Sequence, residues 1–247
     1  MKSKKIDVEK QVGIAIFSAL AFVVAFVCNV IPPVAGFLSL DVKDAVIAIA
    51  SFIYGPVAAV IISLIAALIE LITFSTTGWY GFVMNFVSSA VFSLTAALIY
   101  NRRRNINGAL ISFFAAVIST TSVMLLMNIF VTPIYLTSPY VGMPAEVART
   151  QVMEMLPKIL LPFNFAKALL NSAVAMLLYK PLSRALKKAK YALVARRPMD
   201  KSVDDGVSTV PQSTAADPVA FNKNTAIILS VGFAALAVAV VILLVIS

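Results

Sequence analysis

The sequence predicts an all-α membrane protein, and three observations carry that reading. Hydrophobic residues make up 61% of the 247-residue chain and charged residues 13%, too little polar surface to cover a soluble protein of this size. The apolar runs are long, close to the roughly 20 residues that a helix needs to cross a bilayer core about 30 Å thick. They are also continuous, without the in-out alternation of a membrane β-strand. The formal charge of +9 does not imply a nucleic-acid partner, because the lysines and arginines lie in loops beside the apolar spans, where they set orientation in the lipid.

The first span is expected at 12–31. It follows Met1-Lys2-Ser3-Lys4-Lys5, as a secretory signal would. However, it exceeds the signal h-region of about 7–15 residues, and Val30-Ile31-Pro32-Pro33 offers no small-residue cleavage site. Its Cys28 is the only cysteine, so no intramolecular disulfide is available, and the thiol reads as a small core group. The second run, 44–54, is too short to span alone and meets 57–74 at the turn pair Gly55-Pro56. Spans at 80–100, 109–132 and 158–179 complete a six-helix unit assigned to 1–186. Residues 187–224 turn rich in Lys, Arg, Ser, Asp, Pro and Thr without apolar periodicity, which predicts a flexible cytoplasmic linker. A charge-free run at 225–246 is expected to be an additional seventh span, within 225–247. The cytoplasmic N-terminus follows from counting Lys and Arg: positions 2, 4, 5, 10, 102–104 and the cluster from 180 to 201 fall on one side, with Lys43, Arg149 and Lys158 as exceptions opposite. The halves show no convincing repeat, which weakens an inverted-repeat transporter.

Motifs for chemistry are scarce. The chain has no histidine, no cysteine pair, no phosphate loop and no dinucleotide fingerprint, so metal hydrolases, triad hydrolases and self-sufficient ATPases are disfavoured. No enzyme activity, metal or cofactor is expected. Polar groups gather instead near one end of the spans. Asn164, Lys167 and Asn171 are spaced by three and four and share one helical face, which in lipid must point inward. The structural reading of this stripe is helix stapling, with Lys167 paired to an acid such as Asp44; the functional reading is a pocket for a hydrogen-bond-rich ligand. A second group runs from Thr76 to Asn85 and includes Trp79, Tyr80 and Gly81, with aromatic surfaces for stacking or for simple interface anchoring. Asn128, Thr132 and Tyr135 form a third. Glu70 lies in the third span, where pairing across helices and ligand binding both remain open. In the first span, Ala15 and Ala19 present small residues four apart, a weak signal for close helix approach.

Taken as an ordered set, Gly36-Phe37-Leu38-Ser39-Leu40-Asp41, Tyr54-Gly55-Pro56, Gly78 to Asn85, and Pro162-Phe163-Asn164-Phe165-Ala166-Lys167 with Asn171 resemble the substrate-binding S component of energy-coupling factor (ECF) vitamin transporters, most closely the riboflavin-specific kind. The resemblance covers roughly 12–186. It implies a six-helix S-component bundle, with the seventh helix as a departure. It further implies riboflavin as transported ligand, capture on the outer face of the cell membrane, and transport together with a T component and two ATPase subunits. Carried onto this chain, it places Asn85, Asn128, Asn164 and Lys167 around the ligand together with Tyr80, Leu40 and Asp41. The segment 34–42 becomes a lid, and Ala15 and Ala19 the docking face. The alternatives are the same architecture for another vitamin or a flavin nucleotide, which Lys167 would favour, and a proton-coupled secondary transporter using Glu70, Asp44 and Lys167.

Overall fold

The structure, a computed structural model, describes the backbone of residues 8–195 and side chains as far as 179. In chain order the elements are α1 (Val8–Cys28), α2 (Lys43–Tyr54), α3 (Pro56–Thr73), α4 (Gly78–Tyr100), α5 (Ile106–Thr137), α6 (Ala145–Met155), a π-helical turn (Leu156–Leu160) and α7 (Leu161–Ala195). Among the described residues the only β-type pairing is a single bridge between Val34 and Leu38 in the α1–α2 loop. Among the described residues five stretches are long and apolar enough to cross a membrane: α1, α3, α4, α5, and the continuous helical run Ala145–Tyr179.

The bundle closes around small side chains. Ala45, Ala48, Ala58, Ala66, Ala96, Ala116 and Ala166 are fully buried, as are Ser51 and Ser93, so neighbouring backbones approach closely. In lipid, where burial of apolar surface drives little, this close packing is what holds helices together. Gly13 of α1 is such a point of approach, because a Cβ there would collide with the Tyr54 ring. α4 packs mainly on α5 and α3, and α5 also on α7.

The break between α2 and α3 has a local cause. Gly55 adopts φ 92°, which costs a residue without Cβ little, and donates its N–H to Ser51 O at 2.8 Å. Pro56 then opens α3 at a position that needs no N–H donor. At the start of α5, the Asn105 side chain accepts from Gly108 N at 2.7 Å and caps the helix.

Three boundaries differ from the sequence reading by five residues or more. α5 runs past 132 to Thr137, through Pro133. The last span does not begin at 158: the chain is helical from Ala145, where Glu146, Arg149 and Glu154 interrupt the apolar pattern of α6 and hide it from hydropathy. α7 continues to Ala195, so 187–195, expected as linker, is helix. The remainder of that linker and the expected seventh span at 225–246 lie outside the described residues.

Candidate functional site

One end of the bundle holds a cavity of about 80 Å³ between α4, α5, α7 and the α1–α2 loop. α4 contributes Tyr80, Gly81, Met84, Asn85 and Ser88; α5 contributes Met124, Asn128, Val131, Thr132 and Tyr135; α7 contributes Phe163, Asn164 and Lys167. Phe37, Leu38 and Ser39 of the loop close it. The helical repeat explains this gathering, since residues three or four apart share a face and the three helices turn their amide-bearing faces to one point. Thus the stripe Asn164–Lys167, the group led by Tyr80 and Asn85, and the trio Asn128, Thr132 and Tyr135 meet in space.

The amides are partly committed. Asn128 Nδ2 donates to Met124 O at 2.7 Å and its Oδ1 accepts from Thr132 Oγ1 at 2.8 Å. Asn164 Nδ2 donates to Leu160 O at 2.7 Å. An amide nitrogen carries two donors, so each retains one N–H for a ligand. Lys167 Nζ donates to Asp41 Oδ2 at 2.7 Å and to Ser39 O at 3.2 Å, and its third N–H is left for the cavity. Aromatic walls come from Tyr80, Tyr135 and Phe37, whose rings lie about 5.9 Å apart in sequence Tyr80–Tyr135–Phe37.

Beneath this cavity lies a buried ionic cluster. Lys43 Nζ donates to Glu70 Oε2 at 2.7 Å and lies 3.8 Å from Asp41 Oδ2. Asn85 Nδ2 also donates to Glu70 Oε2, at 3.2 Å. The Ser89 hydroxyl donates to Asp44 Oδ1. Asn171 ties the cluster to the backbone: its Nδ2 donates to Asp41 O at 2.9 Å and its Oδ1 accepts from Ala45 N at 2.9 Å. Burial alone would push the Asp41 carboxyl up, but Lys167 and then Lys43 beside it outweigh that and hold it below the ordinary carboxylate range.

Of the site residues expected from sequence, Tyr80, Asn85, Asn128, Asn164 and Lys167 line the main cavity. Leu40 and Asp41 do not; they line a smaller adjoining chamber, which Asn85 also borders. The partner of Lys167 is Asp41 rather than Asp44, because Asp44 turns toward α4 and Ser89. Lys43, read as a loop cation, is 1% exposed and paired with Glu70. Trp79 is 66% exposed, as an interface anchor would be. Ala15 and Ala19 lie on the exposed face of α1, opposite the buried Gly13, Ile14, Ser18 and Ala21. Met124 lines the cavity without a polar or aromatic signal in the sequence, and Phe37 of the expected lid and Phe163 of the Pro162–Lys167 motif join it there. No group of His, Cys, Asp and Glu among the described residues is arranged to hold a metal.

Residues 10–179 match the family described as ECF transporter, substrate-specific component. The chain is 32% identical over 182 residues to the riboflavin transporter RibU of Staphylococcus aureus (strain TCH60), covering 73% of this chain and 93% of that one. It is 26% identical over 191 residues to the riboflavin transporter FmnP of Bacillus subtilis (strain 168), covering 75% and 97%. A solved structure described as the S component of a bacterial ECF transporter superposes with TM-score 0.60 at 31% identity, covering 74% of this chain and 99% of its own.

Proposed function

The chain belongs to the substrate-specific component family of ECF transporters, and from that premise we propose that it captures riboflavin in the cavity between α4, α5 and α7. The observation that carries this reading is the match between the cavity and a flat heteroaromatic ring. Spare N–H groups of Asn128, Asn164 and Lys167 converge from two helices on a space walled by Tyr80, Tyr135 and Phe37. A ring whose edge carries carbonyl and ring-nitrogen acceptors satisfies those donors while its faces meet the aromatic walls. A phosphate is the poorer occupant, because the charge of Lys167 is already neutralised by Asp41 at 2.7 Å.

The cavity as it stands is smaller than a three-ring heterocycle, and ligand pockets typically enclose about 300–1,000 Å³. Admission therefore requires the 34–42 segment to lift. The bonds from Lys167 to Ser39 O and Asp41, together with that from Asn171 to Asp41 O, tie that segment to α7. A ligand that binds the closed arrangement better than the open one biases the lid toward closure.

Purification in detergent from a riboflavin-supplied host, followed by visible absorption and flavin fluorescence, tests the assignment. A yellow preparation with near-stoichiometric flavin supports it. A colourless one that also fails to quench added riboflavin sinks it.

In the same reading, the N-terminus is cytoplasmic and the pocket faces outward. Ala15 and Ala19 form the face on which a T component, driven by two ATPase subunits, docks. Their exposure on α1 and small size support this, since a flat helix face admits a second helix closely. Replacing both by Leu is expected to reduce cellular uptake to background with riboflavin affinity within about twofold of wild type. Loss of binding together with uptake would point to misfolding, and unaltered uptake would remove the docking assignment.

A further inference from the structure

The stretch of α5 that turns Asn128, Thr132 and Tyr135 to the main cavity carries a second feature on its outer face. An apolar groove of about 520 Å³ runs there between α5 and α6, with Phe130, Pro133 and Ile134 on one side and Ala145, Arg149 and Met153 on the other. Pro133 and Ala145 carry short side chains, which leaves room between the longer ones. Phe130, Ile134 and Met153 are each more than half exposed.

The groove is graded along its length. Ala145, Arg149 and Met153 follow at intervals of four on one face of α6. Because α6 opens the helical run Ala145–Tyr179, which is apolar enough to cross a membrane, Arg149 lies one turn inside the surface end of that run and Met153 one turn deeper. Arg149 has nothing in the protein to answer its charge. Among the described residues it makes no ion pair or hydrogen bond, although Glu146 and Glu154 lie on the same helix. Lys43 and Lys167, by contrast, are both paired. An arginine stays charged at this depth and offers a planar fork of donors that matches phosphate oxygens. Water finds no partners on the apolar walls beside it.

We propose that the α5–α6 groove binds one phospholipid of net negative charge, with its phosphate on Arg149 and an acyl chain along Phe130, Ile134 and Met153. A phospholipid brings an anion and an apolar chain in the order in which the groove presents their counterparts. Lipid of any kind wets an apolar helix face, so selectivity comes from the cation. Arg149 takes the phosphate through charge-assisted hydrogen bonds, and a head group with its own ammonium would set a second cation beside it. The site is independent of what the main cavity captures and requires only that the chain spans a membrane.

The test follows thermal unfolding of the full chain, purified and delipidated in detergent, with added phosphatidylglycerol, with phosphatidylcholine of the same acyl chains, and with inorganic phosphate. Phosphatidylglycerol is expected to raise the unfolding temperature of wild type by about 3 °C or more beyond phosphatidylcholine, and inorganic phosphate to leave it unmoved. Arg149→Gln erases the difference between the lipids. Ala145→Leu, which adds bulk to the groove without touching a charge, lowers the response to phosphatidylglycerol. Lys158→Gln removes an exposed cation outside the groove and retains the full response. Equal shifts of wild type with both lipids overturn the proposal and make the groove ordinary lipid-facing surface. So does a preference that survives Arg149→Gln, or one that Lys158→Gln lowers as much, which would trace it to the net positive charge of the chain. A response to inorganic phosphate equal to that with phosphatidylglycerol, or an Ala145→Leu variant that responds as wild type does, overturns the placement of the acyl chain.

Discussion

The two ends of the bundle are built from opposite materials. At the pocket end, Asp41, Lys43, Asp44, Glu70, Asn85, Lys167 and Asn171 interlock through charged and amide groups that cross from the α1–α2 loop to α3, α4 and α7. At the other end the contacts are aromatic: Phe52 stacks on Tyr100 with ring centroids 4.0 Å apart, meets Phe113 at 5.5 Å, and Tyr100 and Tyr179 share one hydroxyl hydrogen bond of 2.7 Å. Both ends tie together the helices α2, α4 and α7. They differ in what a ligand can alter. Dispersion contacts among rings are many and individually weak, so no single event undoes them. The polar end depends on a few strong pairs, and Lys167 belongs both to the cavity wall and to the bond that holds the loop. In the proposed reading a ligand there takes the spare N–H of the same ammonium group that fastens the lid, so recognition and closure would meet in one residue.

The largest expected effect comes from breaking this double role. Lys167→Ala removes a donor of the proposed ligand site and leaves the buried Asp41 carboxylate with Lys43 at 3.8 Å as its remaining cation. Riboflavin affinity is expected to fall at least 100-fold, and the loss of one partner of a buried ion pair costs about 3–5 kcal/mol of stability. Quenching titration and thermal unfolding in detergent read the two separately. The pair Asp41→Asn with Lys167→Met sharpens the contrast, because removing both charges recovers much of the stability without recovering affinity. If Lys167→Ala lowers stability alone, the polar end is only a fastening and the comparison between the ends fails.

How far this division is visible in the sequence depends on the residue. The amide stripe was legible because Asn164, Lys167 and Asn171 repeat at helical spacing in an otherwise apolar run, and periodicity gives the face directly. Asn85, Asn128 and Tyr80 were legible for a related reason, as isolated polar groups at matching depth near one end of their spans. Pairings were not. Whether Lys167 reaches Asp41 or Asp44 depends on how the 34–42 loop folds back onto α7, and loop geometry leaves no period to read. Lys43 counts as a loop cation in the sequence because charge counting ignores that its partner Glu70 sits 27 positions later on another helix. α6 was lost for the converse reason: Glu146, Arg149 and Glu154 break the apolar run, while Ala148 and Val152, one turn apart and buried, were its only core-facing signal. The spans themselves followed from length and hydropathy, since the bilayer imposes a length that a soluble core does not.

The smaller effect, and the one that isolates the second end, is expected from Phe52→Ala. Phe52 is half-buried and touches Tyr100, Phe113 and Tyr179 through its ring, so truncation removes packing from α4, α5 and α7 at once. Full truncation of a buried Phe costs about 3–5 kcal/mol, and partial exposure with lipid able to enter the gap lowers this to roughly 2–3 kcal/mol. No polar group loses a partner, because the Tyr100–Tyr179 hydrogen bond does not involve Phe52. The lid, its bonds to Lys167 and the amide donors around the cavity remain as they were, so riboflavin affinity should stay within about twofold of wild type while the unfolding transition in detergent moves down. A matching loss of affinity would mean that the two ends are coupled through α2, which carries Lys43 and Asp44 at its start and Phe52 near its end. In that case α2 transmits packing at one end to ion pairing at the other, and the bundle acts as a single two-state unit rather than as a rigid base beneath a responsive pocket.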